Sequence, residues 1–123
     1  MPTEPEPVTL GQIVHRAVQV CDPDDDEGLD DLLQRFEDDD EPLGSGTAQI
    51  AEQRIAEEAG ALDPEGEDPA VTMAAAVATY LAYRRDELDT DPAELLALAA
   101  RAEFDGRPPA PVAAWLAERG VTV

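Results

Sequence analysis

Ala70 to Tyr83 reads AVTMAAAVATYLAY, fourteen consecutive uncharged residues in a chain of which 30% is charged. Asp68 stands ahead of the run as an N-cap for free backbone N–H groups. Pro69 fits the first helical position, where its missing N–H leaves nothing unsatisfied. Arg84 and Arg85 close the run with cations at the negative end of the helix dipole. The pattern predicts a helix over residues 69–85. Its apolar run spans ~21 Å at ~1.5 Å per residue, short of a ~30 Å bilayer core, so it reads as a buried helix and not a membrane span. Only Thr72 and Thr79 interrupt an otherwise apolar circumference, and a helix apolar all round is expected to be buried all round.

Outward from this helix the chain reads as further helices. On the N-terminal side, Asp63 to Asp68 is a short turn and the best hinge candidate. Thr47 is placed to cap a helix from Ala48 to about Ala59, with Ala48, Ala51, Ile55 and Ala59 inward and Gly60 in a left-handed C-terminal position. On the C-terminal side, Asp91-Pro92-Ala93-Glu94 carries the signature of a capping box. Leu95, Leu96, Leu98, Ala99, Ala102 and Phe104 follow, as far as Asp105-Gly106. A last helix holds Val112, Trp115 and Leu116 on one side and ends at Gly120. Its Trp115 is read as core, because buried aromatics dominate core energetics.

Near the start, Leu10, Ile13, Val14, Ala17, Val18 and Cys21 recur at spacings of three and four, with Thr9 or Thr3 as the cap. His15 falls on the opposite, polar face, and Cys21 reads as a small buried hydrophobe. No alternating apolar pattern calls for a sheet. The expected fold is all-α: a small bundle of about six helices around the helix at 69–85, as a single domain over residues 8–123. The Pro- and Glu-rich residues 1–7 are expected to form a disordered acidic tail.

Charge limits the partners. There are 29 acidic residues against eight basic ones and a formal net charge of −21, with no lysine. Phosphate and anionic lipid surfaces both require clustered cations, so nucleic acid and membrane are excluded as ligands. The acidic opening MPTEPEP lacks the basic and apolar regions of a signal peptide, and one cysteine makes no disulfide framework, so the cytoplasm is the expected compartment.

The acid is densest over Asp22 to Glu41, DPDDDEGLDDLLQRFEDDDE, where twelve of twenty residues are acidic. Leu29, Leu32, Leu33 and Phe36 keep the spacing of one helical face, which predicts a short amphipathic helix from about Glu27 to Glu37. Asp38, Asp39, Asp40 and Glu41 would then oppose its C-terminal dipole, a local conflict of the kind expected in a flexible loop or a binding surface. An EF-hand beginning at Asp22 fails, because its sixth position is Glu27 instead of Gly and its twelfth is Leu33 instead of Glu. Weak, nonspecific binding of divalent cations is all that the cluster supports.

The catalytic inventory is poor. Ser45, His15 and Cys21 are each the sole residue of their type, and without lysine there is neither a phosphate-binding P-loop nor a Schiff base. No catalytic residue, cofactor or dedicated metal site is expected. The sequence instead points to a non-enzymatic acidic helical interaction protein that binds a basic protein partner, self-associates as a homodimer, or both. Its candidate partner-binding residues are Leu29, Leu32, Leu33, Phe36, Asp38, Asp39, Asp40 and Glu41. The competing reading of the leucine stripe is that it packs on the helix at 8–21. Two further readings of the charge are mimicry of nucleic acid toward a DNA-binding protein, and halophile-type solubility with no functional content. The central helix expects cover from the helices at 48–59 and 93–102 and from that of Trp115. Its fourth side is left to the Leu29–Phe36 helix or to a second copy of the chain.

Overall fold

The uncharged run folds as a fifteen-residue helix, Pro69–Tyr83, whose first turn is capped by Asp68: the carboxylate accepts from the Ala70 N–H at 3.0 Å. The computed structural model describes residues 8–25, 27–43 and 46–121, so the acidic tail expected at 1–7 and the serine at 45 lie outside the described residues. In chain order the helices are α1 (Leu10–Cys21), α2 (Asp30–Phe36), α3 (Ala48–Leu62), α4 (Pro69–Tyr83), α5 (Pro92–Phe104) and α6 (Ala110–Glu118), with a 3-10 turn at Arg85–Glu87. Among the described residues there is no strand, only an isolated antiparallel bridge between Thr9 and Pro42. The fold is the small all-α bundle that the sequence predicts.

Helix α4 is the axis, and four helices cover it: α1, α3, α5 and α6. Within the chain the fourth cover is α1, and the Leu29–Phe36 helix packs on α1 and α3 instead. The apolar face of α1 is wide enough for two neighbours. Leu10, Ile13, Val14, Ala17, Val18, Val20 and Cys21 are all buried, so α1 packs on α4 and also receives α2. Burial of α4 is not complete. Thr72, Ala75 and Thr79 are half-buried and Tyr83 is exposed, and these residues share one edge of the helix. Alanines line the core on both sides of α4, from Ala48 and Ala51 of α3 to Ala99 and Ala100 of α5. The buried side chains form one core cluster from Leu10 to Val121.

Several ends differ from expectation. Helix α3 continues through Gly60 to Leu62, because Asp63 organises the exit: its carboxylate accepts from the N–H groups of Glu67 at 3.1 Å and Asp68 at 2.9 Å. The segment 63–68 is a turn, held by these two bonds, between two helices that pack on each other. Asp91 and Pro92 begin α5 as expected, yet Asp91 makes no side-chain capping bond, so the capping box with Glu94 is absent. Helix α2 is shorter than the predicted 27–37. The buried Asp22 carboxylate accepts from the N–H groups of Glu27 and Leu29, and this holds the approach to α2 as a loop.

Two arginines tie the bundle together. Arg16 of α1 donates to the carbonyls of Leu88 at 3.0 Å and Thr90 at 2.9 Å, fastening the α4–α5 connection to α1. Arg119 lies over the Trp115 ring at 3.6 Å, donates to the Trp115 carbonyl and ion-pairs with Glu27, fastening the end of α6 to the loop ahead of α2. Trp115 is buried, as core. Past α6, Gly120 takes a φ of +72° and the N–H groups of Gly120 and Val121 bond back to Ala117 and Leu116. This is the Schellman ending that favours glycine.

Cys21 is fully buried. Burial pushes its thiol pKa well above the ordinary 9.0; Arg119 opposes the shift, and Asp22 and Glu27 add to it. Because only the thiolate reacts, a disulfide-exchange reagent is expected to leave native protein unlabelled and to label it stoichiometrically in urea. On unfolding the thiol regains its ordinary pKa and ionises above 9.0, whereas in the folded chain it stays protonated. The contribution of Cys21 to stability is therefore full below that pH and falls as pH rises above it. A Cys21→Ala variant should show a flatter alkaline stability profile in urea titrations.

Candidate functional site

After Phe36 the acidic chain leaves α2 and crosses the N-terminus of α1. The first N–H groups of a helix have no partner within it. In α1 those of Leu10 and Gly11 donate to the carbonyls of Glu41 at 3.1 Å and Asp39 at 2.9 Å, while the Leu43 N–H donates to Val8 at 2.8 Å. Residues 37–43 are thereby a strap laid across the start of α1. Thr9 completes the same end: its hydroxyl accepts from the Gln12 N–H and its own N–H donates to the Gln12 side chain, the capping box of α1.

The strap also relieves the electrostatic conflict seen in the sequence. Asp38 to Glu41 oppose the dipole of α2, a helix of only seven residues, but they lie at the positive end of the twelve-residue α1. Gly11 permits this contact, because a Cβ there would stand 2.6 Å from the Asp39 carbonyl oxygen and 2.9 Å from that of Phe36.

The candidate residues have different fates. Leu29, Leu32 and Phe36 are buried in the chain's own core, where α2 packs on α1 and α3, so the stripe is occupied from within. Leu33 remains half-buried at the edge. Asp39 turns inward, its side chain 7% exposed: Oδ2 ion-pairs with Arg54, and Oδ1 accepts from the Glu41 N–H at 3.1 Å. The Arg54 contact is an ion pair and not a directed hydrogen bond, since Oδ2 has no hydrogen-bond partner. The Arg54 guanidinium also sits 5.6 Å from the centre of the Phe36 ring. Asp38, Asp40 and Glu41, together with Glu37, project into solvent.

Between α1 and the strap runs a shallow groove. One hollow of about 300 Å³ is lined by Gly11, His15, Asp30, Leu33, Gln34 and Glu37. An adjoining one of about 440 Å³ is lined by Thr9, Gly11, Gln12, His15 and Glu37 to Asp40. Glycine, leucine and imidazole line it together with several carboxylates. Such a groove is suited to an alkyl stem that carries a cationic head.

Sequence reasoning placed His15 on a polar face without the groove, and it missed Gly11, Asp22 and Arg54. A glycine inside an apolar helical pattern is the one available signal for Gly11. Asp22 and Arg54 act across sequence distance and leave none. A third hollow, about 300 Å³, is lined by Cys21, Asp22, Asp24, Glu27, Glu118 and Arg119, and the polar atoms of Asp22 and Arg119 there are engaged by the chain itself. Among the described residues no three His, Cys, Asp or Glu side chains are arranged to hold a metal ion, and no helix is long and apolar enough to cross a membrane. No protein-family model matches the chain, no curated protein matches it, and no solved structure matches it.

The two helical glycines should respond oppositely to alanine. At Gly11 the clash is with backbone carbonyls, so the strap must shift; Gly11→Ala is expected to destabilise by about 1–2 kcal/mol despite the better helix propensity. At Gly60 a Cβ meets nothing within 4 Å. Gly60→Ala should stabilise by up to about 1 kcal/mol. Urea unfolding followed by the fluorescence of Trp115 measures both.

Proposed function

We propose that the protein is a non-enzymatic acidic binding module whose strap face takes a basic protein partner. The observation that carries this reading is the group of exposed carboxylates, Glu37, Asp38, Asp40 and Glu41, on a backbone already bonded to the N-terminus of α1. A preordered acidic surface loses little conformational entropy on binding, and its potential steers a cationic partner into contact. Apolar anchoring falls to Leu33 in the groove, since the other members of the leucine stripe are in the core. Divalent cations bind the same carboxylates weakly and without selectivity, and nucleic acid is repelled.

The test must separate a local surface from bulk charge. Asp38→Asn/Asp40→Asn/Glu41→Gln removes three charges from the strap, and Glu65→Gln/Glu67→Gln/Asp89→Asn removes three from exposed positions elsewhere. With a fluorescent peptide of alternating Arg and Ala as the probe, the strap variant is expected to bind at least about tenfold more weakly, a difference of about 1.4 kcal/mol. The control variant should change far less, and binding should weaken as salt rises. Equal losses in the two variants would show that charge alone is responsible, and the strap reading would fail.

A further inference from the structure

The groove beside the strap is set apart by one ring as well as by its acids. His15 is exposed and lines both adjoining hollows. The same hollows are lined by the carboxylates of Asp30, Glu37, Asp38 and Asp40 and by the half-buried Leu33. Among the described residues, His15 makes no hydrogen bond, ion pair or ring contact.

A ring beside a carboxylate is the arrangement in which the chain holds its own cations. Two arginines reach the acidic segment 22–41 from outside it, and each meets a carboxylate and an aromatic ring together. Arg54 ion-pairs with Asp39 and lies 5.6 Å from the centre of the Phe36 ring. Arg119 ion-pairs with Glu27 and lies over the Trp115 ring at 3.6 Å. At His15 the ring and the acids come together again, but the arginine next to it in the chain, Arg16, is committed to the carbonyls of Leu88 and Thr90.

We propose that the groove selects arginine over lysine in its basic partner, and that His15 sets the preference. This rests on the binding role of the strap and adds the identity of the cation. A lysine ammonium is a compact, strongly hydrated point charge, and the carboxylates attract it without need of any other surface. A guanidinium is flat and more weakly hydrated. It can lie against the imidazole face and the edge of Leu33 while its coplanar N–H groups reach more than one carboxylate. The acids draw in either cation, and the ring favours only one of them.

The experiment compares two fluorescent peptides of equal length, alternating Arg and Ala or alternating Lys and Ala, as they bind the full chain at about pH 8, where free imidazole is neutral. The wild-type chain is expected to hold the arginine peptide at least about threefold more tightly, the effect of one exposed cation–ring contact. His15→Ala should bring the two affinities together by weakening the arginine peptide alone. His15→Phe, which keeps a ring face, should retain the preference. Both variants should keep the circular dichroism of the wild type, since position 15 is exposed on α1. Equal affinities in the wild type would overturn the inference, and so would a preference that survives in His15→Ala. In either case, binding that still depends on the strap carboxylates leaves the role of the strap standing, whereas binding of neither peptide sinks both.

Discussion

The structure depends on covering one uncharged helix in a chain that otherwise repels itself. Helix α4 has no charge of its own to hold it at the surface, and with many alanines it offers little area per residue for burial. Cover therefore comes from four sides, and α1 does more than an amphipathic helix of twelve residues usually does. Its buried set extends beyond the simple stripe to include Val20, and this breadth lets it hold α4 and α2 together.

The few cations are placed where they close the bundle. Arg16 reaches backbone carbonyls of the α4–α5 connection, Arg119 joins α6 to the loop ahead of α2, and Arg54 and Arg35 of neighbouring helices hold the acidic segment to α3 through Asp39 and Glu58. Exposed pairs such as Arg35–Glu58, at 2.7 Å, contribute little individually. The guanidinium over Trp115 and the Arg54–Asp39 contact are more shielded, and there the geometry decides where the acid goes. The carboxylates left outward, Glu37, Asp38, Asp40 and Glu41, gather at the strap beside the groove.

Much of the fold was legible in local chemistry. Asp68-Pro69, Asp91-Pro92 and Thr9, one of two caps offered for the first helix, mark helix starts that the structure uses, and Gly120 marks an end, because caps and dipoles act within a turn of the residues that supply them. The leucine spacing placed Leu29, Leu32 and Phe36 on one face, and of the two readings it left open the structure shows the packing on the helix at 8–21. Gly60 misled, since an open position in α3 and a tied Asp63 let the helix continue past it. At the candidate site the acids were plain in the sequence. Their division into the inward Asp39 and the outward Asp38, Asp40 and Glu41 was not, because it depends on Arg54 of another helix.

By itself the sequence determined the helical class, the buried central helix, the excess of carboxylate and the scarcity of basic residues. These follow from periodicity, capping and composition, which are properties of neighbouring residues and of sums. Only the tertiary structure decided that α1 is the fourth cover of α4 and that the strap lies on the positive end of α1. Those outcomes are contacts between segments distant in the chain. They turn on shapes such as the missing Cβ of Gly11, for which a one-dimensional pattern holds no distance.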